Sequence, residues 1–246
     1  MYGLVFGSFC VTLGIRIAAQ RPLFRGASRC DHCHTRLVWF ELLPVLSWCL
    51  LRGRCRTCGH AIPALYPLYE GGAGVLAVLI FRSTGFSSET LVLWCGLGML
   101  CALSAADSLT LRLPDKILWP AIWTIAALRL FIHPLGMWSY GAGAVIGYGA
   151  LYAVYVLSRG GLGFGDVKLF TLVGLLVGLP LLGFAIGLAS LIGLISAIVR
   201  RASMRTPLVR PLPFGPPIAL STLLTALYGQ GWLQFYLHTF FSASPV

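Results

Sequence analysis

Two aspartates in a chain that has few acids are the first residues that could carry out chemistry. Only seven carboxylate side chains occur among 246 residues, and Asp107 and Asp166 lie where long apolar runs end or begin. An ionisable side chain at membrane depth is costly and is usually functional. Two carboxylates in one site share a proton, so that one can activate a water molecule while the other protonates a departing amine. Such a pair is suited to peptide-bond hydrolysis.

A glycine-rich turn precedes the second aspartate. Gly163 and Gly165 flank Phe164 directly before Asp166. Glycine permits backbone angles and close approaches that a side chain would block, so a substrate strand could lie against this turn. The alternative interpretation is an ordinary helix cap, because Gly and Asp are common where helices start.

A third acid, Asp115, competes with Asp107 as the partner of Asp166. Eight helical residues would separate Asp107 from Asp115 by about 12 Å, so both are not expected to contact Asp166. Asp115 follows Pro114 and precedes Lys116, which is typical of a helix N-terminus. We therefore predict that Asp107 is the partner and that Asp115 is a cap or a supporting group.

Four cysteines form the second pattern with chemical meaning. Two Cys-x-x-Cys pairs stand 21 residues apart: Cys30, Cys33, Cys55 and Cys58. Pairs at about this separation are typical of a zinc ribbon, in which each tight turn offers two thiolates to one tetrahedral ion. Four thiolates leave no open coordination position, so the expected role is structural. An unmetallated or redox-active pair is the alternative, and three nearby histidines could replace a ligand: His32, His34 and His60.

The stretch between the cysteine pairs is strongly apolar. Residues 40–51 are FELLPVLSWCLL, a composition that suits packing against the membrane surface or on a helix bundle. We expect the loop to pack as a cap.

The elements that must position these residues are membrane helices. The chain is 58% hydrophobic and 10% charged, with a mean hydropathy of +0.86, whereas a soluble domain is about a quarter charged. A net charge of +11 would otherwise suggest nucleic acid, but that function needs a soluble basic face, so no nucleic-acid partner is expected. We predict an all-α integral membrane protein with about eight transmembrane helices. The spans lie near residues 1–17, 63–82, 91–106, 117–132, 138–158, 169–179, 181–199 and 215–239.

The basic residues predict the orientation of these spans. With the N-terminus outside, 16 of the 18 Lys and Arg residues fall on the cytoplasmic side, and only Arg82 and Arg129 fall outside. The cytoplasmic segments are 16–62, 107–116, 159–168 and 200–214. Two spans separate Asp107 from Asp166, so both acids return to the cytoplasmic face.

This orientation suggests a division of the chain into three parts. Residues 1–17 form the first transmembrane helix, residues 18–62 the cytoplasmic metal-binding loop, and residues 63–246 a helical catalytic domain. A cleaved signal peptide is an alternative for the first part, but no basic segment precedes its apolar stretch.

The order of the motifs resembles one family, the bacterial type IV prepilin peptidases. These are polytopic inner-membrane aspartyl proteases of the GxGD type, which also serve type II secretion. The resemblance extends over most of the chain, and its motifs are GSF at 7–9, the two Cys-x-x-Cys pairs, LPVLSWCLLRGRCRTC at 43–58, YPLYE at 66–70, DSLTLRLPD at 107–115, GFGDVKL at 163–169 and PFGP at 213–216.

The resemblance implies a function and a set of site residues. The catalytic aspartates fall on Asp107 and Asp166, and the four loop cysteines are implied to bind metal. The family cleaves the basic leader of prepilins or pseudopilins after a glycine, at the cytoplasmic face. Many members then methylate the new N-terminal amine with S-adenosylmethionine. Further residues that match the family pattern are Gly163, Gly165 and Lys168 as support for the catalytic pair, and Glu70 as a possible contact to the substrate or its leader.

Two departures from the family pattern concern the methyltransferase. Cys10-Val11 stands where the family usually has Leu-Asn, and Glu41-Leu42 stands where it usually has an acid followed by Asn. Both departures remove polar side chains from the N-terminal half. Methylation rests on the resemblance alone, because the sequence has no GxGxxG stretch for a cofactor.

Three other functions remain open on the sequence. The chain could be a peptidase without methyltransferase activity, or a non-enzymatic membrane scaffold whose metal loop docks a partner. A proton-relaying transporter is the third, but the acids sit at one membrane face and do not form a path through the midplane. The sequence indicates no oligomeric state.

Overall fold

Long helices account for most of the chain. A computed structural model describes residues 2–21, 28–159, 161–203 and 212–241, and within these residues the fold is all-α with no β-strand. The helices are α1 (Tyr2–Ala18), α2 (Leu46–Leu50), α3 (Leu65–Thr84), α4 (Ser88–Thr110), α5 (Asp115–Phe131), α6 (Met137–Leu157), α7 (Phe164–Val177), α8 (Leu179–Ser203) and α9 (Gly215–Phe241). One turn of 3-10 helix spans Trp39–Leu42.

One long helix lies over each of the eight predicted spans in the described part of the chain. Three are long and apolar enough to cross a membrane: Ser88–Thr110, Met137–Leu157 and Leu179–Ala202. The chain is therefore a helical membrane protein. A full set of eight spanning helices, their orientation and the three-part division stay predictions. Three of the basic residues used for the orientation, Arg25, Arg205 and Arg210, lie outside the described residues.

The helix that carries Asp166 begins earlier than predicted. Hydropathy places its start at residue 169, whereas α7 starts at Phe164 and takes Asp166 into its first turn. The end of α7 lies close to the predicted end at residue 179. Gly178, with φ +76°, terminates the helix. Pro180 does not break a helix but occupies the second position of α8, where the missing N–H has no intrahelical partner.

The helix that carries Asp107 is the centre of the bundle. α4 packs against α1, α3, α5 and α9, and its residues Leu97, Leu100 and Leu103 are fully buried. It ends at Leu111, whose left-handed backbone (φ 54°) lets its N–H donate to the Asp107 carbonyl at 2.8 Å. The chain then reaches α5 after four residues.

Small residues bring the second half of the bundle together. α7 packs most extensively on α6, where Gly174 lies directly on the backbone of Gly143 and leaves no room for a Cβ on either. Small residues allow this close approach of helices in lipid. α7 is thereby held beside α5, α8 and α9, with its first turn at the same end of the bundle as the last turn of α4.

Candidate active site and metal centre

Asp107 is held by the start of another helix. It lies in the last turn of α4 with 6% of its surface exposed, and its Oδ2 accepts the N–H of Gly215, the first residue of α9, at 2.7 Å. The first amides of a helix lack intrahelical partners and attract a carboxylate. A Cβ at residue 215 would lie only 3.0 Å from the same oxygen, so this contact needs glycine.

Asp166 lies within electrostatic range of Asp107. It sits in the first turn of α7 with 9% of its surface exposed. Its carboxylate is close enough to that of Asp107 for the two negative charges to repel each other. Its backbone N–H donates to the Gly163 carbonyl at 3.0 Å. The structure thus brings together the two aspartates that the sequence singled out, at the ends of helices that contact each other little along their length.

The glycines before Asp166 serve close approach and not an unusual backbone. Gly163 has φ −68° and ψ 133°, and Gly165 is helical, so other residues could adopt both conformations. A Cβ at residue 163 would lie 3.0 Å from Asp166 Oδ2, and one at residue 165 would lie 3.1 Å from Leu113 Cβ. The sequence suggested that these glycines permit either unusual backbone angles or close approaches, and the structure shows the close approaches.

Asp115 has a different partner. Lys168 Nζ donates to both of its carboxylate oxygens, at 2.8 and 3.0 Å, and lies 5.2 Å from the centroid of the Phe164 ring. This ion pair joins the N-termini of α5 and α7. It therefore supports the turn that carries Asp166 without placing Asp115 in the aspartate pair.

We expect loss of this ion pair to be tolerated. Lys168 is partly exposed and Asp115 more so, and exposed pairs contribute about 0–1 kcal/mol. Asp115→Asn should therefore lower the thermal unfolding temperature slightly and reduce leader cleavage only in part, measured beside Asp107→Asn. An inactive Asp115→Asn beside an active Asp107→Asn would exchange the roles of the two acids.

Glu70 links three parts of the chain by hydrogen bonds: α1, α3 and the cysteine loop. Its Oε1 accepts the Ser8 hydroxyl of α1 at 2.6 Å, and its Oε2 accepts the Val45 N–H at 2.8 Å. Both oxygens of this α3 residue therefore have protein partners. The contact to a substrate leader that the resemblance implied stays a prediction, whereas the observed contacts attach the cysteine loop to the helix bundle.

The four loop cysteines form a cluster that fits a metal ion. All four sulfurs lie within 4.8 Å of one another, with Cys30–Cys58 and Cys33–Cys55 each at 3.9 Å. Sulfurs bound 2.3 Å from a tetrahedral zinc ion would stand about 3.8 Å apart. The cluster contains no histidine, and the rings of His32 and His60 stack on each other beside it, with centroids 4.6 Å apart.

The two Cys-x-x-Cys turns have the same backbone design. In each, an isolated bridge closes the turn, Arg29–Arg36 in the first and Arg54–Ala61 in the second. The residue after the second cysteine has positive φ in both: His34 at 56° and Gly59 at 67°. The position of His34 is thus explained by the turn and not by metal ligation.

Local hydrogen bonds favour the thiolate at two of these four cysteines. Those with Thr35 lower the pKa of the Cys33 thiol to about 6, and the backbone amides of Cys58 and Thr57 lower the pKa of Cys55. The thiolate is the form that binds metal.

We expect purified protein to contain about one zinc ion per chain, as four-cysteine sites do. Cys33→Ser combined with Cys55→Ser should abolish zinc binding and expose residues 28–62 to protease, because such loops fold around their metal. Elemental analysis and limited proteolysis measure both effects. Cys49→Ser, an exposed cysteine of the same loop, is the matched control and should keep the metal. A protease-resistant loop without metal would contradict the assignment.

Arg129 forms a buried ionic cluster at the opposite end of the bundle. Its guanidinium donates to both oxygens of Glu89, at 2.5 and 2.8 Å, and to the carbonyls of Leu175 and Leu176 at the end of α7. It also lies 4.0 Å from the centroid of the Tyr140 ring. The sequence indicated only the side of the membrane for Arg129. A basic residue and an acid 40 positions apart were the available signal, but nothing in the sequence pairs them.

The fold and the site define a class, helical membrane proteins with two buried aspartates at one end of the bundle and a loop whose four clustered cysteines could hold a metal ion. Residues 1–84 match the bacterial peptidase A24 N-terminal domain, and residues 94–198 match the type IV leader peptidase family. The chain belongs to the type IV leader peptidase family.

Curated relatives agree with this family. The chain is 33% identical over 238 residues to the prepilin leader peptidase/N-methyltransferase of Bacillus subtilis (strain 168), covering 96% of each chain. It is 37% identical to the protein of that name from Pseudomonas putida, over 83% of this chain and 73% of the relative. For the protein from Dichelobacter nodosus the identity is 35%, over 82% and 71%. No solved structure matches.

Proposed function

We propose that this chain removes the leader peptide of type IV prepilins or type II secretion pseudopilins, after a glycine, at the cytoplasmic face of the bacterial membrane. The observation that carries the proposal is the placement of Asp107 and Asp166, two buried carboxylates from different helices, at one end of the bundle. The names of the relatives, each a prepilin leader peptidase/N-methyltransferase, point to the same substrates.

The proposed chemistry uses one aspartate as a base and the other as an acid. The ionised carboxylate takes a proton from a water molecule, whose oxygen attacks the carbonyl carbon of the scissile bond. The C–N bond then breaks, and the protonated carboxyl group gives its proton to the leaving amine. Asp107 is oriented in this pair by the Gly215 N–H, which donates to its Oδ2.

The metal loop is proposed to be structural. The four thiolates would hold a zinc ion, which stabilises the fold of a loop that has no helix longer than five residues between positions 28 and 64. Glu41 contributes from within the loop, because its Oε2 accepts the Val38 N–H at 2.8 Å. The acid at this point of the family pattern therefore has a local partner, and Leu42 stands in place of the usual Asn.

A second activity, methylation of the new N-terminal amine with S-adenosylmethionine, is proposed from the names of the relatives. The described residues do not form a recognisable cradle for this donor. A cleft between α1, α3 and the end of α4 is lined mainly by apolar side chains, with Tyr66, Tyr69 and Ser108 as its polar groups. It offers no carboxylate for a ribose, so we derive no methyl-transfer step from it.

A mass measurement tests both activities. Purified protein in detergent is incubated with a prepilin that carries its leader, in the presence and in the absence of S-adenosylmethionine. The mass of the product is then measured by mass spectrometry. Loss of the leader supports the peptidase. A further gain of one methyl group, dependent on the donor, supports the second activity, whereas leader loss alone identifies a peptidase without it. An unchanged mass with a verified cognate prepilin would instead favour a membrane scaffold.

A further inference from the structure

The segment between the cysteine pairs has two distinct faces. We call residues 38–50 the apolar segment; it comprises the 3-10 turn and α2. On its inner side Val45 donates to Glu70, and Trp48 Nε1 donates to the Ile62 carbonyl at 3.1 Å. Its outer side presents four large apolar side chains, of which Trp39 is 77% and Leu50 79% exposed. The other two are Leu42 and Leu46.

The apolar segment is attached to the side of the bundle at Val45. Glu70 is the sixth residue of α3, about 8 Å from the start of that helix, and Ser8 lies about 15 Å before the end of α1 at Ala18. Because one carboxylate binds both Ser8 and Val45, the segment reaches down to this depth. The loop is therefore attached to the flank of α3 at Val45, and its packing as a cap stays a prediction.

The backbone is strained at Val45, the residue through which the segment is attached to α3. Val45 has φ 63° and ψ −48°, a rare conformation for a β-branched residue, and the Leu46 N–H closes the tight turn onto the Pro44 carbonyl at 2.6 Å. Strain of this kind persists only where the surroundings determine it. The hydrogen bond from Val45 to Glu70 supplies that constraint, so the position of the segment is specified.

Positive charge borders the exposed apolar surface of the segment. Four exposed arginines flank the apolar segment: Arg36, Arg52, Arg54 and Arg56. Apolar and aromatic side chains bordered by arginine are typical of elements that lie in the membrane interface, where the guanidinium groups meet anionic lipid phosphates. Tryptophan favours the same depth.

We propose that the apolar segment is an interfacial membrane anchor. It inserts Trp39, Leu42, Leu46 and Leu50 into the lipid leaflet on the side of the metal loop, while the flanking arginines contact anionic phospholipid head groups. The metal loop is thereby held at the membrane surface from both sides, by Glu70 within the protein and by lipid outside it.

Cys49, an exposed residue of α2, reports on this anchor. The zinc-loaded full chain is placed, one copy per nanodisc, in bilayers with anionic and zwitterionic lipid and treated with a membrane-impermeant maleimide; the label is located by peptide mass. We expect Cys49 to react about tenfold more slowly in the wild type than in Leu46→Gln/Leu50→Gln, since that variant weakens the insertion. Equal rates, both as fast as a free peptide thiol, would overturn the proposal. One copy per disc excludes a second chain as the cover.

Trp39 provides a measurement that does not depend on the leucine variant. The fluorescence of Trp39 is obtained by subtracting the emission spectrum of Trp39→Phe from that of the wild type in the same discs. It should be quenched by brominated lipid and not by aqueous iodide; the reverse result would overturn the anchor. Arg52→Gln/Arg54→Gln should remove the additional protection of Cys49 that anionic lipid gives. Protection that is the same with and without anionic lipid would overturn the head-group contact.

Discussion

Asp107→Asn and Asp166→Asn should each slow leader cleavage by a factor on the order of 10²–10⁴, the usual contribution of a general acid or base. An amide neither takes a proton from water nor gives one to an amine at neutral pH, so either change disables the proposed pair. The rate is measured in a single turnover of a prepilin in detergent. Because the two residues act as a unit, the double variant should be hardly slower than the worse single variant.

The design of these variants separates chemistry from folding. Asparagine has the shape of aspartate, and at residue 107 its amide oxygen can still accept the Gly215 N–H, so the unfolding temperature should change little. Asp31→Asn is the matched control, since it makes the same change at an exposed acid of the metal loop, where Asp31 pairs with Arg21 at 3.0 Å. Cleavage at the wild-type rate by either active-site variant would remove that residue from the mechanism.

The placement of the two aspartates at one end of the bundle could be predicted from the sequence, because it depends only on the number of spans between them. A chain that crosses a membrane twice returns to the side from which it started, whatever the helix boundaries are. The metal cluster could be predicted for a similar reason, since two Cys-x-x-Cys turns need only a flexible connection to meet. Both predictions rest on spacing and on few geometric details.

The contacts that set these groups in place could not be predicted in the same way. Hydropathy located α7 from its apolar residues and missed the first turn, where Asp166 and Lys168 interrupt the apolar run. Gly215 belongs to a motif whose role as a donor to Asp107 appears only when α9 is placed beside α4. The backbone of Val45 contradicts its local propensity, because a tertiary contact with Glu70 overrides it.

Arg129 is the residue for which the sequence was least informative and for which we expect the largest effect on stability. Its guanidinium is buried and makes hydrogen bonds to Glu89 and to two carbonyls at the end of α7. Arg129→Met would leave that carboxylate and those carbonyls without their donor. Breaking a buried ion pair by removing one partner costs about 3–5 kcal/mol, which thermal or denaturant unfolding in detergent would measure.

The partner and a second arginine make this prediction specific. The double variant Arg129→Met/Glu89→Gln should lose less free energy of unfolding than Arg129→Met alone, because no uncompensated charge remains. If the effects of the two single variants simply add in this double-mutant cycle, the two residues are not coupled. Arg82→Met is the control, since Arg82 is an exposed arginine of α3 that the sequence placed on the same side. It should have an effect within about 0.5 kcal/mol.

Arg129 also bears on catalysis through the helices that it joins. Glu89 begins α4 and the two carbonyls end α7, and these helices carry Asp107 and Asp166 at their opposite ends. Arg129→Lys keeps the charge but cannot reproduce the bidentate contact with Glu89. If the contact sets how α4 and α7 lie relative to each other, this variant lowers kcat for leader cleavage at temperatures where it is fully folded and leaves KM nearly unchanged. A stability loss with an unchanged kcat would limit Arg129 to holding the bundle together.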